Sequence, residues 1–309
     1  MMFSKAFARY LHLNSSCWAS EKSLLASLRK KTGYTFTNCK KALEMHSNDL
    51  VKAESWLHQQ AQALGWSKAT KLEGRNTSQG LVAVAVNKTD AAIVEVNCET
   101  DFVARNKAFQ EMAEAAAKAC LKYAEKQPHL RGPLTKIGLD SDQLSHLPTT
   151  SGKLLSDELA LMIGSLGENA SLRRALCLKV DTNVHLSAYA HPSGTERDNV
   201  FLGKFGGLVA IRQKEPKDVD IQALGRNLCQ HVVGMDPKKV GTSFDKPNAN
   251  PDDETCLIHQ EYINDNNATV QEVLEQHGIE VIDFKRFECG EDLCKGFSEQ
   301  PLAAVETCQ

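Results

Sequence analysis

The residue types that most often do chemistry are plentiful, since the chain of 309 residues contains ten cysteines and ten histidines. None of their spacings matches a common metal or catalytic site. Cys289 and Cys294, the closest cysteines, have four residues between them, and no further Cys or His follows at the spacing of a zinc finger. We therefore expect reduced thiols that pack or lie on the surface, with no bound metal or cofactor.

The motifs that mark nucleotide and hydrolytic sites are also missing from the sequence. It has no GxxxxGK[ST] phosphate loop, no HExxH zinc motif and no GxSxG nucleophile turn. His185 and His191 lie in or near a strand-like run, where a surface or packing role is the simpler interpretation. Cys98 ends an apolar strand, where cysteine is more often a small buried hydrophobe. The sequence therefore predicts a binding protein rather than an enzyme.

The most unusual feature is ETDFVARN, residues 99–106, which we call the Asp-Phe segment. It follows an apolar strand-like run and precedes an amphipathic helix for which Asn106 is a suitable N-cap. A phenylalanine at such a turn either packs under the domain or is exposed toward a partner. The position of Phe102 therefore decides how the segment is interpreted.

Composition sets limits on the function. With 42% hydrophobic and 24% charged residues, the chain has the composition of a protein of about two domains with a substantial core. No run approaches the roughly 20 apolar residues that span a bilayer. The net charge of -3 and a pI near 6.4 argue against a protein whose whole surface binds nucleic acid. We expect no direct contact with nucleic acid or membrane.

The first 20 residues, MMFSKAFARYLHLNSSCWAS, contain basic and hydroxyl side chains and no acidic residue. Arg9 and His12 interrupt the apolar run that a secretory signal would need. The pattern is typical of a mitochondrial presequence, although it has few arginines, and the alternative is a disordered tail. It predicts import into the mitochondrial matrix.

Residues 21–75 show the apolar periodicity of helices. Breaks at Gly33 and near Asn48, a candidate N-cap, divide them into three helices followed by a polar linker. Lysine and arginine outnumber acidic residues here, which indicates either a solvated basic face or a docking surface. We predict a compact three-helix domain.

The rest of the chain alternates strand-like and helical runs, which predicts an α+β core. Residues 81–86 and 91–96 predict a β-hairpin, and residues 176–180 and 184–190 predict another around Asp181. An amphipathic helix follows each hairpin further along the chain. We therefore predict two related sheet-plus-helix subdomains, the first over residues 76–165 and the second over residues 166–309, which includes an acidic tail.

The two predicted subdomains differ at the Asp-Phe segment. After the strand AAIVEV the first has NCETDFVARN before its helix, whereas after GGLVAI the second has RQKEPKDVD. Because the second subdomain lacks the Asp-Phe pair, the architecture does not need that pair for packing. This comparison favours an outward role for Phe102.

Four motifs carry a family resemblance. In chain order they are KKTGYTFTNCKKAL, IVEVNC followed by TDFVARN, IGSLGENASLRR and HGIEVIDFKRFECGE. Together they resemble the elongation factor Ts family, whose members promote nucleotide exchange on elongation factor Tu during translation. The resemblance covers about residues 22–295. It implies a ubiquitin-associated-like helical domain followed by a core of two related α+β subdomains, and with the presequence it is similar to the mitochondrial branch.

The same resemblance implies a role for the Asp-Phe segment. In the family, the residues that match Asp101 and Phe102 enter the nucleotide-binding domain of elongation factor Tu near its magnesium ion and phosphate loop. The resulting distortion lets GDP leave. The neighbouring Thr100 and Val103 belong to the same motif, so the resemblance implies that they also contact the partner.

Further contacts are implied elsewhere in the chain. Arg29 and the loop residues Phe36 and Thr37 match contacts to the partner's nucleotide-binding domain, although bacterial members often have Met-Met at the loop. His231 matches a residue that touches a distal domain of the partner. Bacterial members also carry a protruding coiled-coil hairpin where this chain has only residues 245–267, which favours a one-to-one complex with mitochondrial elongation factor Tu.

Each of these residues also has an ordinary structural interpretation. Arg29 can be a solvated helix residue, Phe36 a loop residue packed on its own domain, and His231 the polar edge of an amphipathic helix. Two other classes of function also remain open, a nucleic-acid-binding module that uses the basic helical domain and a thiol-dependent redox enzyme. Neither explains why the Asp-Phe pair occurs only in the first subdomain.

Overall fold

The computed structural model describes residues 15–32, 36–128, 132–192, 195–242 and 244–292. Most of the predicted presequence, residues 1–20, lies outside the described residues, as does the chain beyond Asp292. The chain divides into two compact units between Ser67 and Lys68. We describe each unit by itself.

Helices and antiparallel strands alternate along the described chain, and this confirms the predicted α+β class. The helices are α1 (Ser15–Thr32), α2 (Phe36–Met45), α3 (Leu50–Leu72), α4 (Asp101–Ala104), α5 (Lys107–Lys126), α6 (Ser141–Ser145), α7 (Leu155–Leu166), α8 (Ile221–Met235) and α9 (Val270–His277). The strands are β1 (Gln79–Val86), β2 (Asp90–Cys98), β3 (Leu134–Asp140), β4 (Ala170–Val180), β5 (Val184–His191), β6 (Thr195–Arg197), β7 (Val200–Gly203), β8 (Phe205–Gln213), β9 (Glu261–Tyr262), β10 (Asp265–Thr269) and β11 (Ile279–Glu288).

The first unit is a small helical domain with its own apolar core. The buried residues of that core come from α1, α2 and α3, and they are Leu28, Cys39, Ala42, Leu43, Ala53 and Leu57. Their three- and four-residue spacing is the helical periodicity seen in the sequence. A three-helix domain was predicted here, and the structure confirms it.

The start of α3 differs from the prediction. Asn48 was the candidate N-cap, but it has a positive φ of 63°, in the left-handed region. The carboxylate of Asp49 instead accepts hydrogen bonds from the backbone N–H groups of Val51 at 3.0 Å and Lys52 at 3.1 Å. Asp49 therefore caps the helix, because its side chain reaches the unpaired N–H groups of the first turn.

Two antiparallel sheets form the centre of the second unit. The first has the strand order β3-β4-β2-β1-β7-β6, and the second has the order β11-β8-β5. Helix α5 packs on one sheet and α8 on the other, while the two remaining faces pack against each other. At that contact a Cβ on Gly206 would lie 2.6 Å from Val82 Cγ1, so the close approach of the sheets requires glycine.

Strand β2 is the most enclosed strand of this arrangement, since every one of its residues is buried. Alternate side chains enter different layers because successive residues of a strand point to opposite faces. Val94, Val96 and Cys98 belong to the layer under α5, whereas Ala91 and Ile93 belong to the layer between the sheets. The Asp-Phe segment leaves the end of this doubly covered strand.

One of the two predicted hairpins is correct and the other is wrong. β1 and β2 pair in antiparallel register over their whole length, from Gln79 opposite Cys98 to Val86 opposite Ala91. β4 and β5, which were predicted to pair, belong to different sheets: β4 pairs with β2 and β3, and β5 pairs with β8. The turn between them carries the chain from one sheet to the other.

A carboxylate lies completely buried in the layer between the sheets. Glu95 accepts hydrogen bonds from Arg173 Nη1 at 2.7 Å, Arg174 Nε at 2.8 Å, Asn97 Nδ2 at 3.1 Å and the backbone N–H of Gly290 at 2.7 Å. Both carboxylate oxygens are therefore satisfied, as a buried charge requires.

A β-bulge brings both arginines to this carboxylate. Glu95 pairs with Arg174 and Val96 pairs with Leu172, so Arg173 is the extra residue of β4. Neighbouring strand residues ordinarily point to opposite faces, but a bulge changes the direction of one side chain. Arg173 and Arg174 can thus both bind Glu95.

The same arginines hold the turn after β11. Arg173 Nη2 donates to the backbone carbonyl of Glu291 at 2.5 Å, and Arg174 pairs with the Glu291 carboxylate. The Arg174 guanidinium also lies 4.0 Å from the centre of the Phe287 ring. This cluster joins the last strand of the second sheet to the central strand of the first.

We expect Glu95→Gln to lower the free energy of unfolding by about 3 kcal/mol, because it leaves two poorly hydrated guanidinium groups without their shared carboxylate. Chemical denaturation measures the change. Glu280→Gln is the matched control, since Glu280 also binds two cations, Arg212 and Lys214, but at a more exposed position. That variant should lose less than about 1 kcal/mol. Equal losses in the two variants would mean that the buried Glu95 carboxylate stabilises the fold no more than a more exposed one does.

Candidate functional site

The Asp-Phe segment folds as a short capped helix between β2 and α5. Thr100 has extended backbone angles and is the N-cap of α4, and its Oγ1 accepts a hydrogen bond from the Val103 N–H at 3.3 Å. Asn106 then caps α5, because its Oδ1 accepts from the Ala108 N–H at 2.9 Å. The predicted cap at Asn106 is confirmed.

Helix α4 turns Phe102 away from the protein. Val103 and Ala104 are buried in the layer between the first sheet and α5. Phe102 is 78% exposed. Since successive helical residues point in directions about 100° apart, burial of residues 103 and 104 leaves the preceding ring in solvent. The structure thus answers the question that the sequence raised, and the ring is exposed.

Asp101 lies beside the exposed ring with its carboxylate partly in solvent. Its Oδ2 accepts from Arg105 Nη2 at 2.8 Å, across one turn of helix. The segment therefore presents a carboxylate and an aromatic ring together. Thr100 and Val103 have different positions from the exposed pair, because one caps the helix and the other packs beneath it. All four residues were predicted to contact a partner, but their side chains are not equally exposed in the structure.

Two residues that the sequence analysis did not single out contact the beginning of this segment. The Glu168 carboxylate accepts from Thr100 Oγ1 at 2.9 and 3.1 Å. The Asn169 N–H donates to Glu99 Oε1 at 2.6 Å. Both residues lie in the motif IGSLGENASLRR, but nothing in their spacing showed that they would contact residues 68 and 70 positions earlier in the chain.

His231 has a buried position on α8 of the second unit. Its Nε2 lies 3.0 Å from Gln260 Oε1, and its Nδ1 accepts from the Ile263 N–H at 3.2 Å. The ring also stacks on Tyr262, with ring centres 6.0 Å apart. The side chain is enclosed by its own domain, so this structure does not present it as the partner contact that was predicted.

The remaining predicted contact residues lie on the helical unit. Arg29 is exposed in the last turn of α1. Phe36 and Thr37 begin α2, and both are exposed, Phe36 by 53%. Phe36 is therefore not a buried anchor of its own domain, which was the alternative interpretation.

The cysteines near the Asp-Phe segment do not have the properties of nucleophiles. Burial raises the pKa of the Cys98 thiol to about 12 and that of Cys289 to about 11. Both thiols are therefore protonated near neutral pH, whereas a nucleophilic cysteine needs a lowered pKa. Over the described ranges, no His, Cys, Asp and Glu side chains form a group that could hold a metal ion. No helix in those ranges is long and apolar enough to cross a membrane.

Comparisons with known proteins match both units of the chain. A family model described as "Elongation factor Ts, mitochondrial, N-terminal" matches residues 8–67, and one described as "Elongation factor TS" matches residues 99–245 and 250–291. The mitochondrial elongation factor Ts of Aedes aegypti is 54% identical over 278 residues, which are 89% of this chain and 90% of that protein. Those of Drosophila melanogaster and Homo sapiens are 49% and 42% identical, covering 99% and 89% of this chain and 97% and 85% of theirs.

We expect Phe102→Ala to change the free energy of unfolding by less than about 0.5 kcal/mol, because the exposed ring has little to lose. Val103→Ala should lower it by roughly 1 to 2 kcal/mol, because it removes buried methyl groups from the layer under α5. Chemical denaturation of the two variants tests both values. A large loss in Phe102→Ala would mean that the ring supports the fold.

A second prediction concerns His231 and pH. Burial lowers the pKa of His231 below its ordinary value near 6.5. Below about pH 6.5 the unfolded state therefore binds a proton at His231 more readily than the folded state does. The free energy of unfolding then falls as pH drops, by at most about 1.4 kcal/mol per pH unit for one proton.

His231→Gln should reduce this slope between pH 7 and 5. His185, whose pKa is also lowered by burial, keeps its contribution in both proteins. The difference between the two denaturation series thus isolates His231. Identical slopes would show that His231 is protonated without cost in the folded state.

Proposed function

Because the chain belongs to the elongation factor Ts family of nucleotide exchange factors for elongation factor Tu, we propose that it promotes GDP release from mitochondrial elongation factor Tu. Asp101 and Phe102 enter the partner near its magnesium and phosphate site. The observation that carries this proposal is the exposure of Phe102 on a capped helix whose next two residues are buried. The protein acts by binding and does no covalent chemistry.

GDP release requires more free energy than burial of the Phe102 ring alone can supply. A thousandfold faster loss of a tightly held nucleotide takes roughly 4 kcal/mol, since each tenfold is about 1.4 kcal/mol. Burial of a phenylalanine ring supplies only about 1.5 to 3 kcal/mol. A wider interface therefore supplies the remaining binding energy. The exposed Arg29, Phe36 and Thr37 on the helical unit are the residues we assign to it.

The coupling between the two binding events is reciprocal. If this protein weakens the partner's hold on GDP, then nucleotide must weaken the partner's hold on this protein by the same factor. Incoming GTP thus releases the exchange factor after each cycle. This reciprocity follows from thermodynamics and requires no further site on the chain.

We further propose a one-to-one complex in the mitochondrial matrix. The relatives are named mitochondrial. Where bacterial members have a long coiled-coil hairpin, this chain has two short 3₁₀ turns, Pro251–Asp253 and Leu257–His259, and the short β9–β10 pair. A segment of this size offers little surface for a second copy of the chain.

Stopped-flow release of a fluorescent GDP analogue from mitochondrial elongation factor Tu tests the function. Wild-type protein should accelerate release, whereas the double variant Asp101→Ala, Phe102→Ala should accelerate it about 10- to 100-fold less, because the inserted pair is lost. Calorimetric titration should show that the double variant still binds. Phe244→Ala is the matched control, since it removes another exposed ring from the same unit. No acceleration by the wild-type protein would reject the proposed function.

A further inference from the structure

The Asp-Phe segment begins where strand β2 stops pairing with β4. The last ladder pair between β2 and β4 joins Cys98 and Ala170. Beyond that pair, residues 99–100 leave β2 while residues 168–169 approach β4. Side-chain hydrogen bonds connect these two stretches of chain in place of the ladder, and they lie immediately before Asp101 and Phe102.

The first connection fixes the hydroxyl group that caps α4. A threonine hydroxyl has one proton to donate and lone pairs with which to accept. Thr100 donates its proton to the Glu168 carboxylate, whose oxygens lie 2.9 and 3.1 Å away. A lone pair then faces the Val103 N–H, which donates to it at 3.3 Å. Glu168 therefore sets the orientation in which Thr100 caps the helix.

The second connection holds the preceding residue. Asn169 N–H donates to Glu99 Oε1 at 2.6 Å, and Asn169 Nδ2 donates to the backbone carbonyl of Arg75 at 3.2 Å. Arg75 Nη1 in turn lies 3.5 Å from both oxygens of Glu99. Adjacent residues 168 and 169 thus bind adjacent residues 99 and 100.

Helix α4 depends on these bonds because it is only four residues long. A helix of this length has no stability of its own in water. Its backbone bonds in this structure include Ala104 N–H to Thr100 O at 3.2 Å and Arg105 N–H to Asp101 O at 3.1 Å. The N-cap at Thr100 and the burial of Val103 are what keep Phe102 in one direction.

We propose that Glu168 is a positioning residue for Phe102, acting through the Thr100 hydroxyl, and that Asn169 assists through Glu99. This inference rests on the proposed function, in which Phe102 is the inserted group. Glu168 does not itself touch the nucleotide site. It keeps the ring oriented before the partner arrives, so that binding energy distorts the partner instead of ordering the segment.

Hydrogen exchange in the free protein tests the positioning without any partner. Glu168→Ala should speed exchange of the amides of residues 103–106 about tenfold, because the cap is weakened. Glu168→Gln should remain close to wild type, since the amide oxygen can accept the Thr100 proton. Glu158→Ala is the matched control: Glu158 also accepts from hydroxyl groups, those of Thr149 at 3.1 Å and Ser151 at 2.9 Å, but away from the Asp-Phe segment. Unchanged exchange in Glu168→Ala would overturn the proposal.

Nucleotide release then tests the consequence. With increasing concentration of each variant, Glu168→Ala should lower the maximal rate of release about tenfold and leave the half-saturating concentration nearly unchanged, and Glu168→Gln should restore the rate. In a Phe102→Ala background, the same Glu168→Ala change should have almost no further effect, because the two residues act in series. Additive effects would mean that Glu168 supports the fold in some other way and would overturn the proposal.

The two experiments separate the proposals. If wild-type protein fails to accelerate release, the proposed function is wrong, yet hydrogen exchange still decides whether Glu168 orders the segment. If wild-type protein accelerates release and Glu168→Ala equals it in both measurements, the function stands and the positioning role is rejected.

Discussion

The second unit is organised around one buried charge, the carboxylate of Glu95 at the centre of β2. A carboxylate without partners would be very unfavourable in this layer, so the fold must bring cations and N–H donors to it. Arg173 and Arg174 reach it from the β4 bulge, and Gly290 reaches it from the turn after β11. The two arginines belong to the same sheet as Glu95, and the Gly290 N–H adds a donor from the turn that follows the last strand of the second sheet. These contacts, with those of the two arginines to Glu291 and Phe287, couple the two sheets.

This coupling determines what the Asp-Phe segment can do. The segment begins one residue after β2 ends, and β2 is covered on both faces and pinned by Glu95. A four-residue helix attached to a loop would yield when pressed against another protein. Attached to this strand, and held on its other side by Val103 in the α5 layer, the helix keeps its position. Under the proposed function, this rigidity lets the segment distort the partner when it binds. Under the proposed function, the exposed ring therefore depends on buried residues of its own domain to hold its position against the partner.

The sequence predicted features that depend on short-range patterns and missed those that depend on distant ones. The β1–β2 hairpin and the Asn106 cap were correct because turn residues and a cap next to a periodic run are local signals. The β4–β5 hairpin was wrong because Asp181 and its neighbours show that the chain reverses, but not whether the second strand stays in the same sheet. His231 was predicted from the resemblance to contact the partner, with the polar edge of an amphipathic helix as the alternative. The structure instead buries it against Gln260, which no local pattern could show because Gln260 is remote in sequence. Exposure of Phe102 was predicted by comparing the two subdomains. The contact of Glu168 with the Asp-Phe segment could not be predicted, because no local pattern joins the two positions.

The ion pair between Asp101 and Arg105 orients the Asp101 carboxylate and still leaves it accessible to a partner. An ion pair between exposed side chains contributes only about 0 to 1 kcal/mol, because water screens both charges. The bond of 2.8 Å therefore orients the Asp101 carboxylate beside the ring without holding it strongly. Under the proposed function, a cation or N–H donor of the partner can replace Arg105 at little cost. The stronger constraints act on Thr100 and Val103, which stay with their own domain, so the segment remains rigid at its base while its two exposed side chains stay free to bind.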